Sequence, residues 1–154
     1  FNHKEPVIDI KHGIDGLKEI HLEIENLKTP IKIIRSSHDR TTEELTKEID
    51  RHVSKRSRLK IPTQILTPSV DTIKYTKMTY PKVDGREIKV FPQDQLNISS
   101  QIMLYNNNLV LTNYGEDNAV ISLVIHQKEI YKSFEKIFEI LWQHPNSKPL
   151  FNSN

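Results

Sequence analysis

The sequence contains no cysteine, which excludes disulfide bonds and thiolate metal sites and is typical of a reducing compartment. No apolar run approaches the roughly 18 residues needed to span a membrane, and the first residues, FNHKEPVID, lack the apolar core of a signal peptide. The 22 basic residues are balanced by 20 acidic ones, so charge alone does not indicate nucleic-acid binding. We therefore expect a cytoplasmic protein that does not contact a membrane.

A chain of 154 residues is long enough for one domain, which at this size buries roughly 70% of the surface that the unfolded chain exposes. We expect a single α/β domain over residues 1–145. Residues 146–154 carry no apolar pattern and are expected to form a loose C-terminal tail. Because the chain starts at Phe1 without a methionine, we expect it to be a domain taken from a longer protein.

Apolar residues recur at strand and helix spacings along most of the chain. Thr41 or Thr42 is expected to cap the second helix. The inward face of the last helix is expected to consist of Ile130, Phe134, Ile137, Phe138 and Leu141. The predicted strands cover residues 6–10, 31–35, 60–66, 86–91, 98–105, 109–113 and 119–125, and the predicted helices cover residues 14–27, 42–58, 70–80 and 130–142.

The order of these elements predicts the class of fold. A strand, a helix and a strand within residues 31–66 form a crossover unit, which implies parallel pairing. The run Asn106-Asn107-Asn108 between two apolar segments predicts an antiparallel hairpin, because asparagine tolerates the left-handed backbone of tight turns. We therefore expect a three-layer α/β fold with a mixed, mostly parallel sheet and an antiparallel hairpin.

Polar residues follow two strands of the predicted parallel sheet, where open α/β sheets bind ligands. An arginine here could pair with an anion through two hydrogen bonds, although the same residues could simply connect the strand to the next helix. Thr67 and Ser69 follow the third strand. The candidate ligand-binding residues are Arg35, Ser36, Ser37, His38 and Arg40, with Ser99 and Ser100 as a second, weaker pocket wall.

The common enzyme and metal signatures are missing. The sequence has no G-x-S-x-G elbow, no phosphate-binding P-loop and no H-E-x-x-H zinc motif, and its seven histidines are not closely spaced. We therefore expect no cofactor and no metal. The basic cluster from Arg51 to Lys60 is interpreted as the solvated end of a helix, with DNA contact as the alternative. His52 is expected to be a packed core histidine.

Three segments together resemble the effector domains of TrmB-type transcription regulators, a family of archaeal-type regulators. Val7 to Ile20 (VIDIKHGIDGLKEI) resembles their opening strand, glycine turn and helix, and Ile31 to Ser37 resembles their second strand with its small polar cluster. Phe134 to Trp142 is similar to the helix that closes many such domains. The resemblance covers roughly residues 6–144.

The resemblance implies a phospholipase D-like fold and a C-terminal regulatory domain that dimerises or senses a small molecule. DNA binding in that family belongs to a separate winged-helix domain, which this chain lacks room for. The expected function is therefore a non-catalytic domain of a transcription regulator, with a homodimer and a small or anionic effector as partners. A sensor domain of another signalling protein is an alternative.

The other alternative is a phosphodiesterase, because phospholipase D-like enzymes use the pattern H-x-K-x-x-x-x-D. In the fold this pattern is expected near residues 99–102, which contain neither histidine nor lysine. Asn106 or Asn107 stands where the acid would lie. A partial match at His126 and Lys128 has Ser133 in place of the aspartate and lies at the start of the last helix. We therefore expect no catalytic residue.

Overall fold

The structure is a computed structural model that describes residues 7–68, 85–92, 95–115 and 119–151. These residues form one sheet with helices on both faces. The strands are β1 (Ile8–His12), β2 (Ile31–Ile34), β3 (Thr63–Thr67), β4 (Arg86–Val90), β5 (Ser100–Tyr105), β6 (Asn108–Tyr114), β7 (Val120–Ile125) and β8 (Lys148–Pro149). The helices are α1 (Gly13–Leu27), α2 (Glu43–Leu59) and α3 (Lys128–Trp142). The helix expected over residues 70–80 lies outside the described residues.

The sheet has the strand order β1-β7-β6-β5-β2-β3-β4-β8, which confirms a three-layer α/β fold with a mixed sheet. The expectation of a mostly parallel sheet is wrong in this detail. Among the described strands only the pairs β2–β3 and β3–β4 are parallel, and the other five pairs are antiparallel. The reason is that the sheet continues beyond β2 through β5, β6, β7 and β1, all in antiparallel pairs, and that β8 is antiparallel to β4. In particular, β1 pairs with β7 at the far side of the hairpin and not with β2.

Two glycines shape the connection from β1 to α1. Gly13 begins the helix with φ +69°, in the left-handed region that favours glycine. A Cβ atom on Gly16 would lie 2.8 Å from the Cβ of Lys11, so the helix approaches the strand as closely as the backbone allows. The apolar stripe of α1, including Leu17 and Ile20, is thereby held against the sheet.

The asparagine turn forms the expected hairpin. Asn106 and Asn107 both have positive φ values, 46° and 61°, which is the conformation of a two-residue type I′ turn. Tyr105 pairs with Asn108 across the turn, and β5 and β6 continue in antiparallel register from there. The prediction of a hairpin is confirmed.

Helices α1 and α2 cover one face of the sheet, and Thr42 caps the second of them. The Oγ1 of Thr42 accepts a hydrogen bond from the backbone N–H of Leu45 at 3.2 Å. Because side chains alternate along a strand, the residues on this face are two apart in each strand. Its apolar core includes Ile33, Ile65, Ile88, Met103 and Val110, with Ile20 and Ile24 of α1 above them.

Helix α3 covers the opposite face through Phe138, which is only 2% exposed. Phe138 packs with Ile34, Leu66, Leu104 and Leu109 of the sheet. The expectation that Ile130 and Ile137 also face inward is wrong, since their exposed fractions are 39% and 49%. Their apolar stripe is wider than the surface that the sheet offers to this helix. Ile140 extends the exposed stripe, with 64% of its surface exposed.

The C-terminal segment differs from the expected loose tail. Lys148 and Pro149 form β8, which pairs antiparallel with β4 at the edge of the sheet. The backbone N–H of Leu150 donates to the carbonyl oxygen of Ile88 at 2.8 Å, and its side chain is buried in the α1–α2 core. Residues up to 151 are therefore part of the domain.

Candidate functional site

A cavity of about 60 Å³ lies between α2 and the sheet. Its floor is apolar and is formed by Ile33, Ile65, Ile88 and Met103, which stand on neighbouring strands. Its walls are polar. Four arginines contribute to them, Arg35, Arg40, Arg56 and Arg86, together with Asp39, His21, His52, Thr67 and Gln101.

Strand alternation explains why two polar residues reach this cavity. Thr67 is two residues after Ile65 on β3, and Arg35 is two residues after Ile33, just past the end of β2. Each therefore continues the face of the floor residue before it. Both lie at the carboxyl ends of parallel strands, the position at which a ligand site was predicted from the sequence.

A carboxylate holds two of the arginines. The Nε and Nη2 of Arg35 donate to the two oxygens of Asp39 at 2.6 and 3.1 Å, a bidentate pair. Arg40 Nη1 lies 3.4 Å from Asp39 Oδ1, and its Nη2 lies 3.4 Å from Asp50 Oδ1. Asp39 is itself buried, so these contacts fix the guanidinium groups at the cavity wall.

The serines near this loop are used in connections. Ser36 is buried, and its Oγ donates to the carbonyl oxygen of Ser99 at 2.7 Å and accepts from the backbone N–H of His38 at 3.0 Å. Ser37 is exposed and its Oγ donates to Asn97 Oδ1 at 3.2 Å. The structure brings Arg35 and Arg40 to the cavity, whereas Ser36, Ser37, His38, Ser99 and Ser100 do not line it.

Two buried histidine–glutamate pairs connect α1 to α2 beside the cavity. The Nδ1 of His21 lies 2.6 Å from Glu48 Oε2, and the Nδ1 of His52 lies 2.6 Å from Glu25 Oε2. The two imidazole rings stack, with centroids 3.8 Å apart and planes 4° apart. Arg51 donates to both glutamates, with N–O distances of 2.8 to 3.0 Å.

The electrostatics of this network keep Glu48 charged and the two histidines neutral. Burial raises the pKa of Glu48, but hydrogen bonds from His21 and Arg51 outweigh it and bring the pKa to about 2. Burial lowers the pKa of His21 more than the hydrogen bond to Glu48 raises it. The pKa of His52 is lowered well below its ordinary value by burial, and then by the charges of its neighbours. Ionised glutamates only accept hydrogen bonds, so each Nδ1 carries the ring proton.

His52 and Thr67 line the cavity, and each has a buried polar atom with no hydrogen-bond partner among the described residues, namely His52 Nε2 and Thr67 Oγ1. The side chains are 3% and 1% exposed. An unsatisfied buried polar group costs about 1–3 kcal/mol, so such groups are rare and call for an explanation. A bound molecule that forms hydrogen bonds with both atoms would explain why they have no partner in the described part of the protein.

Sequence reasoning did not identify His52 or Arg56 as members of a site. His52 was expected to be packed, and Arg56 was placed in a solvated helix end. In fact Arg56 is buried, with 5% of its surface exposed, and Arg51 is tied to two glutamates. The available signal was helical spacing, because Leu45, Ile49, His52 and Arg56 follow one another on a single stripe of α2. No comparable pattern in the sequence indicates that His52 and Glu48 of α2 pair with Glu25 and His21 of α1.

The phosphodiesterase and metal interpretations receive no support from geometry. His126 Nδ1 lies 2.7 Å from Asn108 Oδ1, and Ser133 Oγ donates to the backbone of its own helix. Within residues 7–68, 85–92, 95–115 and 119–151, no group of three or more histidine, aspartate or glutamate residues could hold a metal ion. In the same ranges, no helix is long and apolar enough to cross a membrane.

Comparison with known proteins shows the fold. No protein-family model and no curated protein matches the sequence. Among solved structures, TrmBL2, an archaeal chromatin protein reported to show a novel mode of DNA binding, matches with a TM-score of 0.58 and 12% identity over 96% of this chain. Polyphosphate kinase from Porphyromonas gingivalis matches with a TM-score of 0.52 and 10% identity over 100% of this chain.

These matches confirm the phospholipase D-like fold, and at the level of the fold they confirm the resemblance to TrmB-type regulators. This chain spans 56% of the TrmBL2 chain and 26% of the polyphosphate kinase chain. It thus corresponds to one part of each protein. The two neighbours differ in activity, so the fold does not by itself decide between a regulator and an enzyme.

Proposed function

We propose that this chain is a non-catalytic regulatory domain of a transcription regulator, which binds a small effector in the cavity between α2 and the sheet. The observation that carries the proposal is the cavity itself, where His52 and Thr67 present buried polar atoms without partners. A cavity with an apolar floor and a few convergent polar groups is the usual form of a small-molecule site. Contact with DNA in the cytoplasm would belong to a separate domain.

The non-catalytic part of the proposal is supported by the strand that should carry a phospholipase D-type motif. Ser100 and Gln101 of β5 offer no nucleophilic nitrogen and no cation, and none of the described residues that line the cavity is a lysine. The two histidines beside the cavity have their Nδ1 atoms engaged by glutamates. Phosphoryl chemistry needs a nucleophile together with fixed cationic stabilisation, and only arginines are provided here.

A cavity-filling variant tests this function. Val53 lines the cavity and is half-buried, so Val53→Phe should occupy part of the space and remove the response to an effector. We expect at least one compound in a metabolite panel to raise the melting temperature of the unmodified domain but not of this variant. Leu22→Phe, at an exposed position of α1, is the matched control and should respond normally. A panel in which no compound acts, or acts equally on Val53→Phe, contradicts the proposal.

Self-association is a second candidate function, because one surface is unusually apolar. Lys11 contacts Glu19 of α1, so strand alternation places Ile8 and Ile10 on the opposite face, beside Ile125 and Leu123 of β7. We use the name apolar flank for Ile8, Ile10, Ile130, Ile137 and Ile140, all of which are at least 39% exposed.

The orientation of α3 makes the flank continuous. On one side of Phe138, Glu135 contacts Lys32 of β2 at 3.0 Å, so that side faces the β2 end of the sheet. Ile130 and Ile137 lie on the other side of the helix, toward β7 and β1. Contiguous exposed apolar surface of this kind marks an interaction site, and a second copy of the chain would bury it on both partners.

The mass of the protein in solution tests this second candidate. We expect a dimer by light scattering, and a monomer after Ile137→Glu, because a charge in a closed apolar interface is not compensated. Leu27→Glu, at a similarly exposed apolar position on α1, is the control and should leave the dimer intact. A monomeric unmodified protein at high concentration would rule out this role.

A further inference from the structure

We propose that the cavity between α2 and the sheet binds a phosphate group, either as inorganic phosphate or as the singly protonated phosphate of a small metabolite. This inference rests on the proposed effector-binding function and names the chemistry of the effector. Three features of the site support it, namely its charge, its size and the kind of hydrogen bond that it leaves open.

Charge favours an anion. Four guanidinium groups line the cavity, and Asp39 contributes the one carboxylate among the described lining residues. Arg35 is held rigidly by its bidentate contact with Asp39, so its position does not depend on a ligand. Arginine is suited to tetrahedral oxyanions because its planar fork presents several N–H donors at once. The lining of the cavity thus holds more cationic than anionic side chains among the described residues.

Size excludes a large effector. A cavity of about 150 Å³ is needed to enclose a benzene molecule. This cavity, at about 60 Å³, is too small for a sugar ring or a nucleobase, but it suits a compact ion or the end group of a larger molecule. The part of an effector that this site encloses is therefore a small group and not a sugar ring or a nucleobase.

The open hydrogen bonds distinguish phosphate from other oxyanions. Because Nδ1 of His52 donates to Glu25, the neutral ring of this cavity-lining residue leaves Nε2 as a buried acceptor without a partner among the described residues. Inorganic phosphate near neutral pH still carries an O–H, and a phosphate monoester carries one in its singly protonated form. This O–H can donate to the nitrogen, whereas sulfate has none. The Thr67 hydroxyl can donate to another phosphate oxygen. Both buried atoms are then satisfied by one ligand.

The pKa of His52 supports this assignment of donors. Burial, together with neighbouring Arg56 and Arg51, lowers the pKa of His52 well below its ordinary value, so the ring is neutral at physiological pH. A charged ring would present an Nε2–H donor and would accept sulfate equally well. The neutral ring instead selects a ligand that brings its own proton.

The experiment measures thermal shifts and calorimetric binding of the whole chain with inorganic phosphate and with sulfate at equal ionic strength. We expect phosphate to stabilise the protein and sulfate to act at least tenfold more weakly. Thr67→Val, which removes the hydroxyl without changing the shape, should weaken phosphate binding about tenfold. It should also leave the protein without phosphate at least as stable as the unmodified chain, because the hydroxyl has no partner there.

Thr63→Val is the matched control. Thr63 lies four residues before Thr67 on the same strand and the same face, but it does not line the cavity, and its Oγ1 donates to Ile61 O at 3.0 Å. We expect this change to lower basal stability and to leave phosphate binding unaltered. Loss of phosphate binding in Thr63→Val but not in Thr67→Val would overturn the proposed site.

Glycerol 3-phosphate and glucose 6-phosphate identify the source of the phosphate. Tighter binding of either one than of inorganic phosphate indicates a metabolite, and weaker binding indicates the free ion. Equal responses to sulfate and phosphate, or no response to phosphate, overturn the proposal. If a compound without phosphate binds and Val53→Phe abolishes its binding, the effector-binding function stands and only the phosphate assignment fails. If nothing binds, both fail.

Discussion

The two faces of the sheet are built on different principles. On the α3 face, Phe138 fills an apolar core, and none of the described residues buried there is charged. On the α1–α2 face, Glu25, Glu48 and Arg56 are buried together with two histidines. Buried ion pairs generally contribute less stability than apolar packing of the same volume, because desolvation offsets their attraction. The α3 face, which we call the apolar face, is thus stabilised by apolar packing, whereas the α1–α2 face, which we call the charged face, adds a network of buried charges to an apolar core of its own.

The largest loss of stability is expected from a substitution in the apolar face. Phe138→Ala removes a ring that is almost fully buried, and it should lower the free energy of unfolding by about 4 kcal/mol. Urea denaturation at pH 7 measures this loss. Ile140→Ala, on the same helix but 64% exposed, should change stability by less than about 0.5 kcal/mol. Similar losses for the two variants would mean that α3 packs differently.

A somewhat smaller effect is expected from breaking the charged face. Arg51→Met leaves Glu25 and Glu48 buried with one cationic partner fewer, which should cost about 2–3 kcal/mol once the 41% exposure of the arginine side chain is considered. Lys47→Met is the control on the same helix, because its contact with Glu43 is exposed and contributes little. If Arg51→Met is as stable as its control, the network does not contribute to folding.

The smallest expected effect, at pH 6, is a sensitivity to acid that the two buried histidines confer. The folded pKa values of His21 and His52 are lowered from 6.5, so the unfolded chain binds protons that the folded chain does not. Stability should be full above pH 6.5 and should fall below it, by at most about 1.4 kcal/mol per pH unit for each histidine. The lowered pKa of Glu48 extends the loss below pH 4.5.

Denaturation at pH 7, 6 and 5 checks this expectation. A His52→Asn variant should show a shallower dependence on pH between these values, since one of the two buried histidines is gone. His38→Gln, at an exposed position, should follow the unmodified protein. A stability that rises between pH 7 and pH 5 would show that the histidines are charged in the folded state.

Local patterns in the sequence were sufficient for most elements of the fold. The asparagine turn, the stripe of α1 and the cap at Thr42 each depend on residues a few positions apart, so their physical causes are visible in the chain. The partner of β1 was not predictable in this way. Its pairing with β7 joins residues more than a hundred positions apart, and no local pattern distinguishes β7 from β2 as the neighbour.

The candidate site was predicted only in part for the same reason. Arg35 and Arg40 follow a strand end, a position that general rules of α/β sheets mark as useful. His52 and Arg56 reach the cavity from a helix, and their role depends on α1 and on the opposite strands. Each contact between His21 and Glu48, or Glu25 and His52, spans 27 residues. No local pattern in the sequence predicts these pairs, because they depend on how α1 packs against α2.

The repeated spacing of these two pairs has a mechanical consequence. His21 and Glu25 are four residues apart on α1, as are their partners Glu48 and His52 on α2, so the helices run in the same direction with matched turns. Sliding α2 by one turn would bring Glu25 opposite Glu48, or His21 opposite His52, and neither pairing satisfies the buried charges. The network therefore fixes a single register between the two helices. A displacement of α2 along its axis would have to carry α1 with it, so the two helices form one rigid unit.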